Sequence, residues 1–292
     1  MFTGTYTAIV TPFKKGNLDE AALTRLVKAQ IKGGVDGVVP VGTTGESPTV
    51  NVDEHVRVIE IAVQAAAGKV KVVAGSGANC TAEAIHLTQA AEAAGADGSL
   101  QVCPYYNKPS QDGLFQHYQA VAKNTGLPIM LYSIPGRSVI SIEVQTVVKL
   151  AAKCKNIVAI KEAGGSADRV SQLRQALPKD FSILSGDDAQ TLPFMSVGAT
   201  GLVSVASNVA PKLVSQMVRA MAAGNLKKAR ALHEKLYDLF KVLFIETSPG
   251  PVKAGLNLMG LCDEEFRLPL TKVSKKTKDS VRKVLLDLGL LK

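Results

Sequence analysis

Cysteine is scarce in this chain, and none of it is paired. Cys80, Cys103, Cys154 and Cys262 are scattered over 292 residues with no C-x-x-C spacing, which argues against a disulfide framework and a zinc site and reads as buried free thiols. No apolar stretch approaches the length that a membrane helix needs. The first fifteen residues lack a basic segment ahead of an apolar core and lack a small-residue cleavage site, so they read as the start of a cytoplasmic chain. Acidic residues run short only near the C-terminus: positions 1–208 carry 18 Lys/Arg against 17 Asp/Glu, and positions 209–292 carry 16 against 8. The formal charge of +9 therefore sits late in the chain, most densely at Lys272, Lys275, Lys276, Lys278, Arg282 and Lys283. That run has no interleaved aromatics and no glycine-rich arm, so it reads as a solvated helix face and not as a nucleic-acid surface.

What is present is a globular composition, 46% apolar and 20% charged with mean hydropathy +0.14, in a length that one α/β barrel can occupy. Eight short apolar, β-branched runs occur, at 8–11, 37–41, 71–74, 99–102, 129–131, 157–160, 182–184 and 202–205. Their starts lie 29, 34, 28, 30, 28, 25 and 20 residues apart. Each gap fits one strand and one crossover helix. The segments between carry helical spacing and boundary signals: Asn51-x-x-Glu54 opens one helix, and Gly33-Gly34, Gly68, Gly95 and Gly126 close others. Eight such units predict an α/β fold, a parallel sheet closed into a (β/α)8 TIM barrel. Further helices are expected near 211–223, 225–242, 250–260 and 277–290. The division expected is a catalytic barrel over 1–224 and an α-helical extension over 225–292 packed on it.

Barrel enzymes keep their chemistry in the loops that follow the strands. Here those loops are rich in hydroxyls and glycine and poor in metal ligands. All four histidines, His55, His86, His117 and His233, fall in helical segments, and Asp187-Asp188 alone does not make a metal site, so no metal is expected. Lys161 directly follows the run 157–160 and, by alternation, shares a face with Ile157 and Ala159. It is either a lysine leaving a strand for water or an amine nucleophile, which needs desolvation or a nearby cation to free its lone pair. Tyr132 ends the preceding strand, as rim packing or as a proton relay. Gly42-Thr43-Thr44-Gly45-Glu46 places two hydroxyls and backbone amides between glycines, a cradle for a small carboxylate. Arg137 is either a surface salt-bridge partner or a bidentate clamp for a second carboxylate.

Taken together, Gly42-Thr-Thr-Gly-Glu-Ser47, Pro104-Tyr-Tyr106, Tyr132-x-x-Pro135-x-Arg137, Ile160-Lys-Glu162 and Ser185-Gly-Asp-Asp188 closely resemble the 4-hydroxy-tetrahydrodipicolinate synthase (dihydrodipicolinate synthase) family of pyruvate-dependent Schiff-base aldolases. The likeness runs over residues 2–269. It implies a cytoplasmic lyase without cofactor that condenses pyruvate with L-aspartate 4-semialdehyde, the first committed step of the diaminopimelate route to lysine. It further implies that Lys161 forms the Schiff base, that Tyr132, Thr43 and Tyr106 relay protons, and that Tyr106 reaches into a neighbouring subunit of a homotetramer built as a dimer of dimers. Thr44 would bind the pyruvate carboxylate, Arg137 would hold the second substrate, and Gly186 and Val203 would line the pocket through their backbones.

The family's feedback site for L-lysine is matched by Ser47, His55, Asn79, Glu83 and Tyr105. Val52 stands where lysine-sensitive members often carry histidine, and Pro48 replaces a commoner alanine, so weak to moderate inhibition is expected. Glu83 also has a local reason to exist, since a carboxylate in a first helical turn favours the helix dipole. In the loop after the fifth strand Ser133 replaces the usual asparagine, and Ser138-Val139 the usual Thr-Gly. The nearest alternatives are N-acetylneuraminate lyase and keto-deoxy sugar acid aldolases of the same family, whose strand-two turns usually read Gly-Ser-Thr-Gly-Glu or Gly-Gly-Thr-Gly-Glu and which lack the Tyr105-Tyr106 pair.

Overall fold

The computed structural model describes residues 2–291. Eight parallel strands close into a barrel: β1 (Gly4–Ala8), β2 (Gly37–Val39), β3 (Lys71–Gly75), β4 (Gly98–Val102), β5 (Ile129–Ser133), β6 (Ile157–Glu162), β7 (Ser182–Ser185) and β8 (Gly201–Ser204). β1 pairs with both β8 and β2, which closes the sheet. Eight helices follow them in turn: α1 (Glu20–Gly33), α2 (Val52–Ala66), α3 (Thr81–Ala93), α4 (Gln111–Lys123), α5 (Val144–Lys153), α6 (Ala167–Ala176), α7 (Thr191–Ser196) and α8 (Pro211–Ala222). Then come α9 (Leu226–Val242), α10 (Gly250–Leu258) and α11 (Lys275–Asp287). Among the described residues no helix is long and apolar enough to cross a membrane.

The local signals explain most boundaries. Asn51 and Glu54 form a reciprocal capping box at the start of α2, which satisfies two backbone donors that a helix leaves unpaired. Gly34, Gly68 and Gly95 follow helices with φ of 82°, 71° and 85°, a conformation that costs a glycine nothing. Gly126 does not act this way: α4 ends at Lys123, and the Gly126 amide instead donates to Glu92 at 3.0 Å. Of the four thiols, Cys103, Cys154 and Cys262 are buried, but Cys80 is exposed as it precedes α3.

Three departures from the strand pattern have physical causes. β1 is Gly4–Ala8 and not 8–11. Its outward positions are threonines that read as polar yet are buried; Thr7 donates to the Gln30 side chain at 2.8 Å. The apolar residues Ile9 and Val10 lie past the strand, at the mouth. Secondly, Ile157 does not share a face with Ala159 and Lys161. Ile157 and Ile160 pack in the outer layer against the helices, whereas Ala159 faces the barrel interior with Tyr132, Leu184 and Val203. The register between β5 and β6 shifts between Ile129 and Met130, and a bulge of this kind resets the two-residue alternation. Thirdly, a two-stranded hairpin, Phe13–Lys14 with Asn17–Leu18, follows β1 and turns through Lys15 and Gly16 at φ 52° and 81°.

Inside the barrel, Tyr6, Val39, Leu100, Met130, Leu184 and Val203 fill the lumen, as a packed core and not a pore. Outside it, Val252 and Leu256 of α10 and Val281 and Leu285 of α11 share one apolar cluster with Phe13, Val209 and the α1 and α2 helices. The C-terminal helices are thus joined to the barrel by continuous core. The basic run lies on and beside α11, where Lys278 pairs with Glu264 and donates to Asn257 at 3.2 Å.

Candidate active site

Tyr132 and Lys161 end neighbouring strands and are directly opposite in register. The Lys161 ammonium lies 4.0 Å from the centre of the Tyr132 ring, against its face, the geometry of a cation over a π-system. The lysine is only 6% exposed and the tyrosine is buried. Between water and an amine held out of it, the structure therefore supports the second reading. Gly186, in the turn after β7, permits this: a Cβ there would stand 2.9 Å from Lys161 Cε and 2.8 Å from Ala163 Cβ. Val203, on β8, packs in the lumen with Tyr132 and Leu184. Gly186 therefore lies against the Lys161 side chain, and Val203 lies in the lumen beside Tyr132.

A cavity of about 230 Å³ opens at this mouth, with Thr43, Tyr132, Arg137, Tyr105 and Ser47 on its wall. Thr43 is half-buried and Thr44 fully so. Their turn is tied by hydrogen bonds from the Gly45 and Glu46 amides to the Gly42 and Thr43 carbonyls, at 3.0 and 3.1 Å. The Thr11 hydroxyl donates to the Gly45 carbonyl at 2.6 Å. Arg137 belongs to a helical turn, Pro135–Ser138, after β5. Its side chain is exposed, with a long contact to the Ser248 carbonyl at 3.4 Å, so its guanidinium is not committed to an ion pair. Tyr106 is 89% exposed at φ 73°; within a single subunit it is not brought to Lys161.

Ser47, Asn79, Glu83 and Tyr105 come together beside the same cavity. The Asn79 amide donates to the Tyr105 carbonyl at 3.2 Å, and Asn107 donates to the Asn79 carbonyl at 2.8 Å. Burial raises the Tyr105 phenol above its usual value, and the Glu83 carboxylate adds to that rise. His55 stands apart, buried in α2 behind the wall, where its Nε2–H donates to the Gly75 carbonyl at 2.8 Å. Burial lowers this imidazole to about 4.

Asp188 is engaged structurally. Its carboxylate accepts from the Ser204 hydroxyl and from the Val205 and Ala206 amides, the latter at 3.0 and 3.2 Å. Burial raises it to about 6.

The residues that sequence reasoning passed over are Glu46 and Lys253. Both are fully buried, and they form an ion pair. Lys253 also donates to the Glu265 carbonyl at 2.8 Å and lies 4.4 Å from the Phe13 ring and 4.9 Å from that of Phe266. Burial pushes Glu46 up and Lys253 down, and each one's charge opposes the other's shift. The available signal was a lone lysine inside the apolar run Pro251-Val-Lys253-Ala-Gly-Leu256, since lysine is almost never fully buried without a partner.

In β/α barrels the reacting groups lie at the carboxyl ends of the strands. The fold thus defines a β/α-barrel enzyme, with Lys161 buried at the carboxyl end of a barrel strand. The chain belongs to the dihydrodipicolinate synthetase family, whose model matches residues 1–288. It is 50% identical to the 4-hydroxy-tetrahydrodipicolinate synthase of Aquifex aeolicus (strain VF5) over 98% of this chain and 97% of that one. The solved structure of the 4-hydroxy-tetrahydrodipicolinate synthase from the thermoacidophilic methanotroph Methylacidiphilum fumariolicum SolV is 54% identical, with a TM-score of 0.97 over 99% of this chain and 96% of that one. A structure of the enzyme from Cyanidioschyzon merolae with lysine bound is 41% identical, with a TM-score of 0.97 over 99% of both chains.

Proposed function

We propose that this chain is a lyase that condenses pyruvate with L-aspartate 4-semialdehyde to 4-hydroxy-tetrahydrodipicolinate, with Lys161 as the amine that carries pyruvate. The observation that carries this reading is the buried Lys161 amine against Tyr132, in a chain whose relatives over full length bear that enzyme's name. In its neutral form the Lys161 amine attacks the pyruvate ketone. Loss of water leaves an iminium, which draws electrons from the adjacent methyl group. Loss of a methyl proton gives an enamine, whose carbon adds to the aldehyde of the second substrate. The amino group of that substrate then attacks the iminium carbon, closes the ring and releases Lys161. Protons leave and arrive at each step. Tyr132, Thr43 and a neighbouring subunit's copy of Tyr106 are assigned to move them. Thr44 is assigned to the pyruvate carboxylate, Gly186 and Val203 to the pocket lining, and Arg137 to the carboxylate of the semialdehyde.

The Tyr106 assignment requires an oligomer, and we assign a homotetramer made of two tight dimers in the cytoplasm. The exposure of Tyr106 supports it. The catalytic barrel is placed at 1–224 and the helical extension at 225–292. Ser47, His55, Asn79, Glu83 and Tyr105 are assigned to L-lysine, with weak to moderate inhibition. Initial rates should fall in saturating L-lysine; unchanged rates would remove that assignment.

The central test is borohydride reduction in the presence of pyruvate, followed by peptide mapping. A pyruvyl adduct on Lys161 is expected, and an adduct elsewhere or none would overturn the mechanism. A coupled assay offering aspartate semialdehyde against sugar aldehydes then tests the second substrate.

A further inference from the structure

The turn that bears Thr43 and Thr44 is bracketed by two residues in the left-handed region, Val41 at φ 51° and Glu46 at φ 56°. Neither is a glycine, and Val41 is β-branched, so the backbone needs an outside restraint to stay there. The Glu46 carboxylate, at one end of the turn, meets the Lys253 ammonium from α10, 207 positions later in the chain. That ammonium is located independently of the turn: by the Glu265 carbonyl, by the Phe266 ring and by the Phe13 ring of the β-hairpin. Arg267 adds to the same arrangement, 4.4 Å from the Phe13 ring, and pairs with Glu54 of α2. A buried ion pair is a poor way to gain stability, because apolar residues of similar volume usually serve at least as well. What it supplies is a fixed distance and direction.

We propose that Glu46 and Lys253 are positioning residues, through which the C-terminal helices hold the Thr43–Thr44 turn in register with Lys161. The pair touches no substrate. It acts by fixing where two hydroxyls stand, so the extension is part of the active site's construction. This inference rests on the assignment of Lys161, Thr43 and Thr44 given above. Its signature is asymmetric: the turn serves pyruvate, whereas Arg137 is carried by a different loop.

The test compares Glu46→Gln, Lys253→Met and the double variant in the full chain, with active sites counted by the borohydride-trapped pyruvyl adduct. The double variant leaves no uncompensated buried charge and is expected to keep a Tm close to wild type. All three are expected to raise KM for pyruvate and lower kcat per titrated site, together at least tenfold in kcat/KM. KM for the semialdehyde should stay within twofold. A merely structural role would lower Tm and the number of titratable sites but leave kcat per site and the two KM values unchanged. A folded double variant with wild-type KM for pyruvate and wild-type kcat per site overturns the proposal. If Lys253→Met does not fold, Glu46→Gln, which keeps the shape and an oxygen for the ammonium, gives the same reading. Absence of an adduct on Lys161 in the wild-type enzyme is a different failure: it removes the underlying assignment, and this inference with it.

Discussion

The turn after β2 and the loop after β5 both border the cavity, yet they are held in opposite ways. The first is buried at Thr44, Gly45 and Glu46, crossed by the Thr11 hydroxyl and fastened to α10 by a fully buried ion pair. The second exposes Gly136, Arg137 and Val139. The Ser138 hydroxyl turns back into its own loop, within hydrogen-bond reach of the Ile134 and Ile140 carbonyls at 2.9 and 2.7 Å. Rigid fixation is where an electrophile must be placed against a buried amine, since small misplacements there are costly. On the roles proposed above, the looser loop is the one assigned to the second substrate. Of the replacements at Ser133 and Ser138-Val139, only Val139 falls on the exposed side; Ser133 closes β5 and Ser138 is buried.

The most severe way to break this picture is at the lysine. Lys161→Ala should abolish borohydride trapping and lower kcat/KM by more than about 10³-fold, because no other group supplies the covalent route. The fold should survive, since the substitution removes a buried amine. Calorimetry beside the trapping assay separates the two effects, and residual trapping at another lysine would contradict the assignment.

Acid should lower the stability of the whole barrel. His55 and His117 are both lowered to about 4 by burial, against an ordinary value of 6.5. The unfolded chain therefore takes up these protons at a higher pH than the folded one. Their stabilisation is complete above pH 6.5 and is lost as pH falls from 6.5 towards 4. Asp188, raised by burial to about 6, works in the opposite sense, because the folded state protonates it more readily. Stability should therefore fall across that window, with Asp188 offsetting part of what the two imidazoles lose. Urea unfolding at pH 7.5 and 4.5 measures it. His55→Gln keeps a donor for the Gly75 carbonyl and should flatten the dependence; an equally steep curve would place the effect elsewhere.

On the open side, Arg137→Ala should raise KM for the semialdehyde by about 10- to 100-fold, the value of a charge-assisted hydrogen bond to a carboxylate. Pyruvate trapping should be unaffected. A variant that loses pyruvate binding instead would erase the distinction between the two walls.

The barrel was legible because parallel strands buried on both faces read as continuous apolar runs, and because helix ends carry their own chemistry, as Asn51 and Glu54 do. Lys161 and Tyr132 were legible because strand ends converge on one mouth. β1 was displaced in the reading because its outward positions are buried threonines, one of which, Thr7, is satisfied by Gln30, a partner that only the fold supplies. The face of Ile157 was misjudged because one bulge reverses alternation for every residue before it. Glu46 was visible inside a motif, but its partner was not. The apolar run around Lys253 marks it as buried, but nothing local names its partner, since the contact spans most of the chain.

The smallest effect lies at Val139, which stands at φ 69° and ψ −30° and is 67% exposed. A β-branched residue in this region costs about 1–2 kcal/mol relative to glycine. Glycine in return loses more chain entropy on folding, about 0.5–1 kcal/mol. Val139→Gly should therefore stabilise the protein by roughly 0.5–1 kcal/mol, a rise in Tm of about 2 °C for a chain of this size. Gly45→Ala is the converse experiment on the buried wall, where a Cβ would stand 2.9 Å from the Val41 backbone and nothing can yield. If the first change fails to raise Tm while the second lowers both Tm and pyruvate affinity, the open loop is held by contacts that offset its strain, and the contrast between the two walls narrows.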